Sequence, residues 1–313
     1  MADAHNTLAY LLNFGSLDVD GIDVSDLLLQ APFLAAAYAK SSSHGQVHKY
    51  LKRTVQAGSG FRAVNTGVTN AAGESALQTI TLKFLDASFD RDIAIIKASG
   101  GAERYMTEET LASLKAAMFG AEKSCINGIQ TEGDSDGFLG LADELSDIGS
   151  FVLDAEGDSA GAVTSIYAVR FANDAVSVVA ANGGEIDISD PYSVRVQPDG
   201  ADVAYSAMRV DVDAWMGLQL GSSYDAARIG NVTTSGTADA TTCNDKLLSD
   251  LMALAKAGMP FTHFVMNRTS QKYLQQSRTA VNATGKEAPF PTEAFGLPII
   301  TTDAILNTET ILT

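Results

Sequence analysis

The chain has 313 residues, 46% of them hydrophobic and 19% charged, which excludes a disordered chain and leaves room for two modest domains or one elongated, multi-part subunit. With 21 basic and 38 acidic residues it stands at −17 with a pI near 4.5. Nucleic-acid binding by phosphate neutralisation is therefore disfavoured. No stretch approaches the roughly 20 apolar residues of a membrane span, and Asp3 stands where a secretory signal has its basic region.

In chain order, residues 7–14 and 24–38 are apolar and alanine-rich, with Asp23 or Ser25 as candidate caps. They suit short helices or an extended arm laid on a neighbour. Residues 41–45 (SSSHG) form a flexible break. Lys49 to Arg53, with three charges, is the densest basic spot.

Residues 61–96 carry a hairpin signal. Arg62, Val64 and Thr66 alternate with Phe61, Ala63 and Asn65. The returning strand sets Ile80, Leu82 and Phe84 against Thr79, Thr81 and Lys83. Between them, residues 70–75 (NAAGES, with Asn70, Gly73 and Glu74) are turn chemistry. Arms of about eight residues reach roughly 26 Å. A lone two-stranded hairpin is marginal in water, so a projecting one needs a partner surface.

The spacing predicts a long helix over 107–127. Thr107 is its candidate cap, Glu108 and Glu109 complement its dipole, and Asn127–Gly128 closes it. Leu111, Leu114, Met118, Ala121 and Cys125 make one apolar stripe. Residues 151–232 then read as strands: 165–171, 176–180, 192–196 and 203–214, separated by turns at 182–184 and 198–200. A capped helix over 245–257 stops at Gly258 with Pro260 beyond. Residues 261–266 form a nearly continuous apolar run, the pattern of a strand covered on both faces. Asn267 is a candidate N-cap for a helix over 268–278, and a second buried strand covers 297–301.

Candidate chemistry is thin. Cys125 and His263 form a conceivable nucleophile–base pair of a hydrolase, but Cys125 lies on an apolar helix stripe and His263 in a buried strand. The clusters Glu132, Asp134, Asp136 and Asp154, Glu156, Asp158 alternate carboxylates as calcium loops do, yet neither ends in the closing Glu. Gly58 and Gly60 precede an alternating segment, not a helix, so phosphate cradling lacks its geometry. Two cysteines make neither a disulfide framework nor a zinc site and fit a reducing compartment. In that setting the triplets at Asn231, Asn267 and Asn282 carry no glycosylation. No cofactor, metal or catalytic residue is expected.

The order and spacing of these elements, over about residues 45–305, resembles the tailed-phage major capsid proteins of the Hong Kong 97-like fold. The hairpin resembles the extended E-loop, and the helix over 107–127 the spine helix of the peripheral domain. TSIYAVRF, DPYSVRV and AMRVDVDAWMGLQLGSSYDAARIGNV resemble short-tailed-phage coats. Asn267 with Arg268 and Thr269 matches a recurrent strand-to-helix junction, and FGLPIITTDAIL resembles the strand returning to the peripheral domain.

The resemblance implies an α+β chain divided into an N-terminal arm (1–45), the E-loop hairpin (46–98), the peripheral domain with its spine helix (99–150), a mainly axial domain (151–260) and a return segment (261–313). It implies a coat protein of the virion, assembled in the host cytoplasm into pentamers and hexamers of an icosahedral head around double-stranded DNA. Inter-subunit contacts are expected at Arg62, Asn70, Gly73, Glu74 and Lys83. With a hairpin starting near residue 60 there is no room before it for a fused scaffolding domain. A separate scaffolding protein, a portal and decoration proteins are the implied partners. An encapsulin-like cargo shell is the alternative in the same fold.

Overall fold

The computed structural model describes residues 13–14, 28–55, 57–67, 72–99, 102–130, 132–181, 184–197, 203–282 and 286–313. The expected arm segments at 7–12 and 24–27 and the turn residue Asn70 lie outside them.

Asn13–Phe14 (β1) precedes a 3-10 turn, Leu28–Gln30, and the short helix Pro32–Ala36 (α1). Next come Tyr38–Ser41 (β2), Val47–Val55 (β3), Glu74–Thr81 (β4), Lys83–Asp86 (β5) and Phe89–Asp92 (β6). Ile93–Ala98 (α2) leads into the long helix Ala102–Asn127 (α3), followed by Leu141–Glu144 (α4). The strands Val152–Asp154 (β7), Val163–Val169 (β8), Val176–Ala180 (β9), Glu185–Ile188 (β10), Tyr192–Val196 (β11), Tyr205–Val210 (β12), Val212–Leu220 (β13) and Ala226–Thr233 (β14) follow. The chain closes with Asp245–Ala253 (α5), His263–Met266 (β15), Arg268–Ala280 (α6), Glu293–Ala294 (β16) and Leu297–Thr301 (β17).

Among the described residues these strands make four sheets. One has the order β1-β10-β13-β9-β2, with β5 also on β13; another runs β16-β17-β15-β8-β14-β7. A three-stranded sheet, β11-β12-β6, and the hairpin β3-β4 complete the set.

The 26 residues of α3 span about 39 Å. The helix begins five residues before Thr107, which therefore lies inside it and does not cap it. Arg104 pairs with Glu108 one turn on (2.9 Å), extending the helix backwards. Leu114, Met118, Ala121 and Cys125 are buried as the stripe requires. Gly128, at φ +63°, ends the helix in the left-handed conformation that glycine adopts without strain.

The β8 sheet is covered on both faces, and residue parity divides two cores. Tyr167 and Val169 face the core under α3, while Ile166 and Ala168 face a second core with Leu248, Leu251 and Leu274. In β15, Val265 joins the first core, and Phe264 and Met266 join the second. The closing unit is thus as its apolar run predicts. Asn267 accepts from Ser270 N (2.8 Å) as the N-cap of α6.

Three expectations need correcting. The strand predicted over 203–214 breaks at Asp211, whose carboxylate takes Arg209 Nε (2.6 Å) and the Tyr192 hydroxyl (2.6 Å). There the chain passes from the small sheet into the larger one, so Trp215 and Met216 stand inside β13. The helix predicted over 245–257 stops at Ala253; Lys256 instead sets its ammonium 3.5 Å from the Tyr224 ring centroid. The outgoing hairpin arm is 47–55 and not 61–66, because the alternating residues of β3 are the ones that pair with β4.

Two buried polar junctions tie distant segments together. Glu122 of α3 accepts from Phe33 N (2.8 Å) and Leu34 N (3.4 Å) at the start of α1, and from the Thr302 hydroxyl beyond β17. Burial raises its pKa to about 7. Arg228 of β14 meets Glu309 (3.1 Å) in the C-terminal segment, Ser165 Oγ (2.9 Å) and Leu145 O (3.0 Å).

Glu309→Ala leaves the Arg228 guanidinium buried without its carboxylate. We expect a loss of about 3–5 kcal/mol in urea unfolding; a change within the scatter of surface substitutions argues that the tail does not hold the core. The folded chain keeps the Glu122 proton up to about pH 7, whereas the unfolded chain releases it near its ordinary value of 4.5. The folded state then binds more protons across that window, so stability falls as pH rises through it. Glu122→Gln should remove that fall, gaining up to about 3 kcal/mol at about pH 8. Parallel stability–pH curves for the two proteins count against the assignment.

Candidate inter-subunit surface

Side chains alternate along a strand, so the hairpin has two faces. Its inner face is anchored at the root. His48 Nε2–H donates to Gln219 Oε1 of β13 (2.8 Å), Lys52 pairs with Glu144 of α4 (2.7 Å), and Arg53 N bonds Gly221 O (3.3 Å). Burial holds His48 below its usual pKa range. Gly217 lies under this seating. A Cβ there would stand 2.7 Å from Leu82 Cδ2 and 3.4 Å from Ile80 Cγ2, so a larger residue makes the Leu82 side chain shift.

The outer face is uncovered. Leu51 lies directly opposite Leu77, and they are 69% and 64% exposed. Lys49 and Arg53 flank Leu51 on the same face. Beyond β3, residues 57–67 continue as an irregular, exposed segment in which Phe61 and Val64 are almost bare. Full exposure of a Phe beside an exposed cross-strand leucine pair marks an interaction surface, since monomers leave large apolar patches uncovered only rarely.

The five residues expected to make contacts fall at different places. Arg62 lies in the exposed tip segment, where its guanidinium reaches Thr66 O (3.4 Å). Gly73 sits where a Cβ would stand 2.8 Å from Ala57 N, so the strands close tightly there. Glu74 opens β4 opposite Val55, next to a register shift between Arg53 and Val55. Lys83 is not on the hairpin: it starts β5, opposite Met216 of β13. Asn70 is outside the described residues. Sequence reasoning missed Leu51 and Leu77; the alternation of Lys49, Leu51 and Arg53 with His48, Tyr50 and Lys52 was the available signal.

At the hairpin root lies a cleft of about 310 Å³, between Tyr50, Ile80 and Lys83 on one wall and Ile129, Phe138 and Leu139 on the other. It holds no constellation for chemistry. Cys125 is fully buried, and burial pushes its thiol pKa far up, which removes it as a nucleophile. His263 stacks at an angle on Phe171 (5.1 Å). The acidic clusters bind backbone: Asp134 Oδ1 takes Asp136 N (3.0 Å), and Asp154 Oδ1 takes Glu156 N (2.8 Å). Among the described residues no three His, Cys, Asp or Glu side chains gather as a metal site, and no helix is long and apolar enough to cross a membrane.

A family model described as "Major capsid protein GP7" matches residues 19–313. The chain belongs to that family, whose members are structural coat proteins and not enzymes. No curated protein matches the chain. Among solved structures, a chain of bacteriophage Epsilon15 is 19% identical over 89% of this chain and 88% of that one, with a TM-score of 0.65. The capsid of bacteriophage JBD30 is 11% identical over 93% and 95%, with a TM-score of 0.48. The SrpI encapsulin of Synechococcus elongatus PCC 7942 is 8% identical over 66% and 89%, with a TM-score of 0.43. The fold is α+β and Hong Kong 97-like, and the protein is a major capsid protein of an icosahedral phage head, a component of the virion.

Leu51→Ser with Leu77→Ser removes apolar surface that the folded chain leaves in water. Unfolding of the isolated subunit should change by no more than about 0.5 kcal/mol. A marked loss shows instead that the pair is covered within its own chain. Gly217→Val should act the other way, unseating the hairpin root and costing about 1–3 kcal/mol by overpacking.

Proposed function

We propose that the hairpin is the element by which each subunit grips the next in pentamers and hexamers of the head. The observation that carries this reading is the uncovered outer face: Leu51 and Leu77 of the hairpin are 69% and 64% exposed, and Phe61 and Val64 beyond it are almost bare. Burying a leucine side chain contributes about 1.5–3 kcal/mol, and each 1.4 kcal/mol is about tenfold in association. Two such leucines per contact are enough to separate dispersed subunits from shells. Arg62, Gly73 and Glu74 lie on or near the tip and reach the neighbour first, Asn70 is read as a further contact, and Lys83 acts from the root.

In this reading the β13 sheet with α3 is the peripheral part, and the β8 sheet with α5 and α6 is the axial part. The chain crosses between them more than once: residues 151–260 supply β7, β8 and β14 to one sheet and β9, β10 and β13 to the other. The expected mainly axial block is therefore better drawn as two insertions around a peripheral core. Double-stranded DNA is confined by the closed shell, since −17 per subunit repels it. A separate scaffolding protein, a portal and decoration proteins complete the head, with assembly in the host cytoplasm.

Replacing residues 57–67 by a two-residue turn tests the hairpin. The variant should remain folded by circular dichroism and unfold like the parent, yet sediment as dispersed subunits. Normal heads in electron micrographs refute the grip.

A further inference from the structure

The hairpin carries charge of the wrong sign for this chain. Residues 46–81 hold four basic residues, Lys49, Lys52, Arg53 and Arg62, against one acidic residue, Glu74. That is a net of +3 on a chain of −17, which leaves −20 on the remainder. A cationic, apolar projection on an acidic body is complementary to another copy of that body.

One surface of the body matches it in both respects. Residues 129–148 contain six carboxylates, from Glu132 to Asp147, and no Lys or Arg. Asp134, Asp136 and Asp147 are exposed there, and so are Ile129 and Leu139, at 45% and 57%. Ile129, Phe138 and Leu139 wall the root cleft, whose volume of about 310 Å³ is at the lower end of sites that seat a small ligand. That is room for one aromatic side chain. Lys83 is a cation on the opposite wall. The acidic rim already takes one hairpin cation within the chain, because Lys52 meets Glu144 at 2.7 Å.

Resting on the hairpin's role in assembly, we propose that this cleft receives the tip segment 61–64 of a second copy, with Phe61 entering beside Leu139 and Arg62 meeting the Asp134–Asp136 rim. The tip does not fill its own cleft. Phe61 and Val64 are exposed, and β3 runs roughly 17 Å from Tyr50, on the cleft wall, to Val55 before the tip begins. A donor surface and a different acceptor surface on every copy make a heterologous contact, which closes into rings when the rotation allows. Charge pairing across it steers the approach and selects the register.

Cross-linking tests the contact directly. One chain carries Phe61→Cys, a second carries Leu139→Cys, and the two are co-assembled. Both natural cysteines are fully buried, so they stay silent. We expect a non-reducing dimer band that needs both variants and disappears with reductant. Intact shells without that band overturn the cleft assignment while the hairpin's own role stands, and shells that form normally without residues 57–67 remove both. If either cysteine prevents shells, charge reversal decides. Arg62→Glu and Asp136→Arg should each abolish assembly, and their combination should restore it. A combination that stays dispersed, as it does if a different protein occupies the cleft, overturns the proposal.

Discussion

Nine residues of β13 carry three pairings at once: β10 at Val212 and Asp213, β5 along 213–216 and β9 along 216–220. Every other part of the α3-side body is placed by reference to that strand. Its backbone is extended, and at Gly217 it passes close under Leu82 and Ile80 of the hairpin root. Gln219, two residues on, fixes His48. The direction of the hairpin is thus inherited from the core and not chosen by the hairpin itself. An isolated two-stranded ribbon is marginal. Here its root borrows rigidity from a sheet whose strands are buried.

That arrangement explains how one chain can keep an apolar face in water. The period of two along β3 separates His48, Tyr50 and Lys52 from Lys49, Leu51 and Arg53, so anchoring one face commits the other to solvent. Lysine and arginine beside the exposed leucines keep the free edge soluble until a partner covers it. The acidic remainder serves the same end between subunits, through repulsion that falls off within about 8 Å at physiological salt. Close contacts of opposite sign then decide what joins to what.

The buried polar junctions play a different part. Glu122 joins α1, α3 and the segment after β17, and Arg228 joins β14 to Glu309, so stretches more than 80 residues apart share single side chains. Such groups add little net stability over an apolar filling, yet removing one partner is costly. They define where the two ends of the chain lie against the middle, which apolar packing alone leaves open.

The closing unit was legible in the sequence because its signals are local. An unbroken apolar run, an Asn at the cap position and a helical stripe do not depend on what lies elsewhere, and β15, Asn267 and α6 stand as they predict; β17 forms over 297–301 as expected but buries only Ile300. The stripe on α3 and the α+β class were legible for the same reason. The outgoing arm of the hairpin was not. VHKYLKRTV alternates, but it shows only as the densest basic spot until β4 is laid beside it 19 to 34 residues later. The break at Asp211 and the strand β14, rich in small residues, likewise have no local mark. Sequence by itself determined the locally marked segments, the stripe of α3, the strand β15 and the capped helix α6, and that function lies in surfaces. Tertiary structure alone decided which face of β3 is covered and that Leu139 and Glu144 meet Tyr50, Ile80 and Lys83 at one cleft. Strand pairing and cleft formation are contacts between residues far apart in the chain, and a local pattern states only that a face exists, never what covers it.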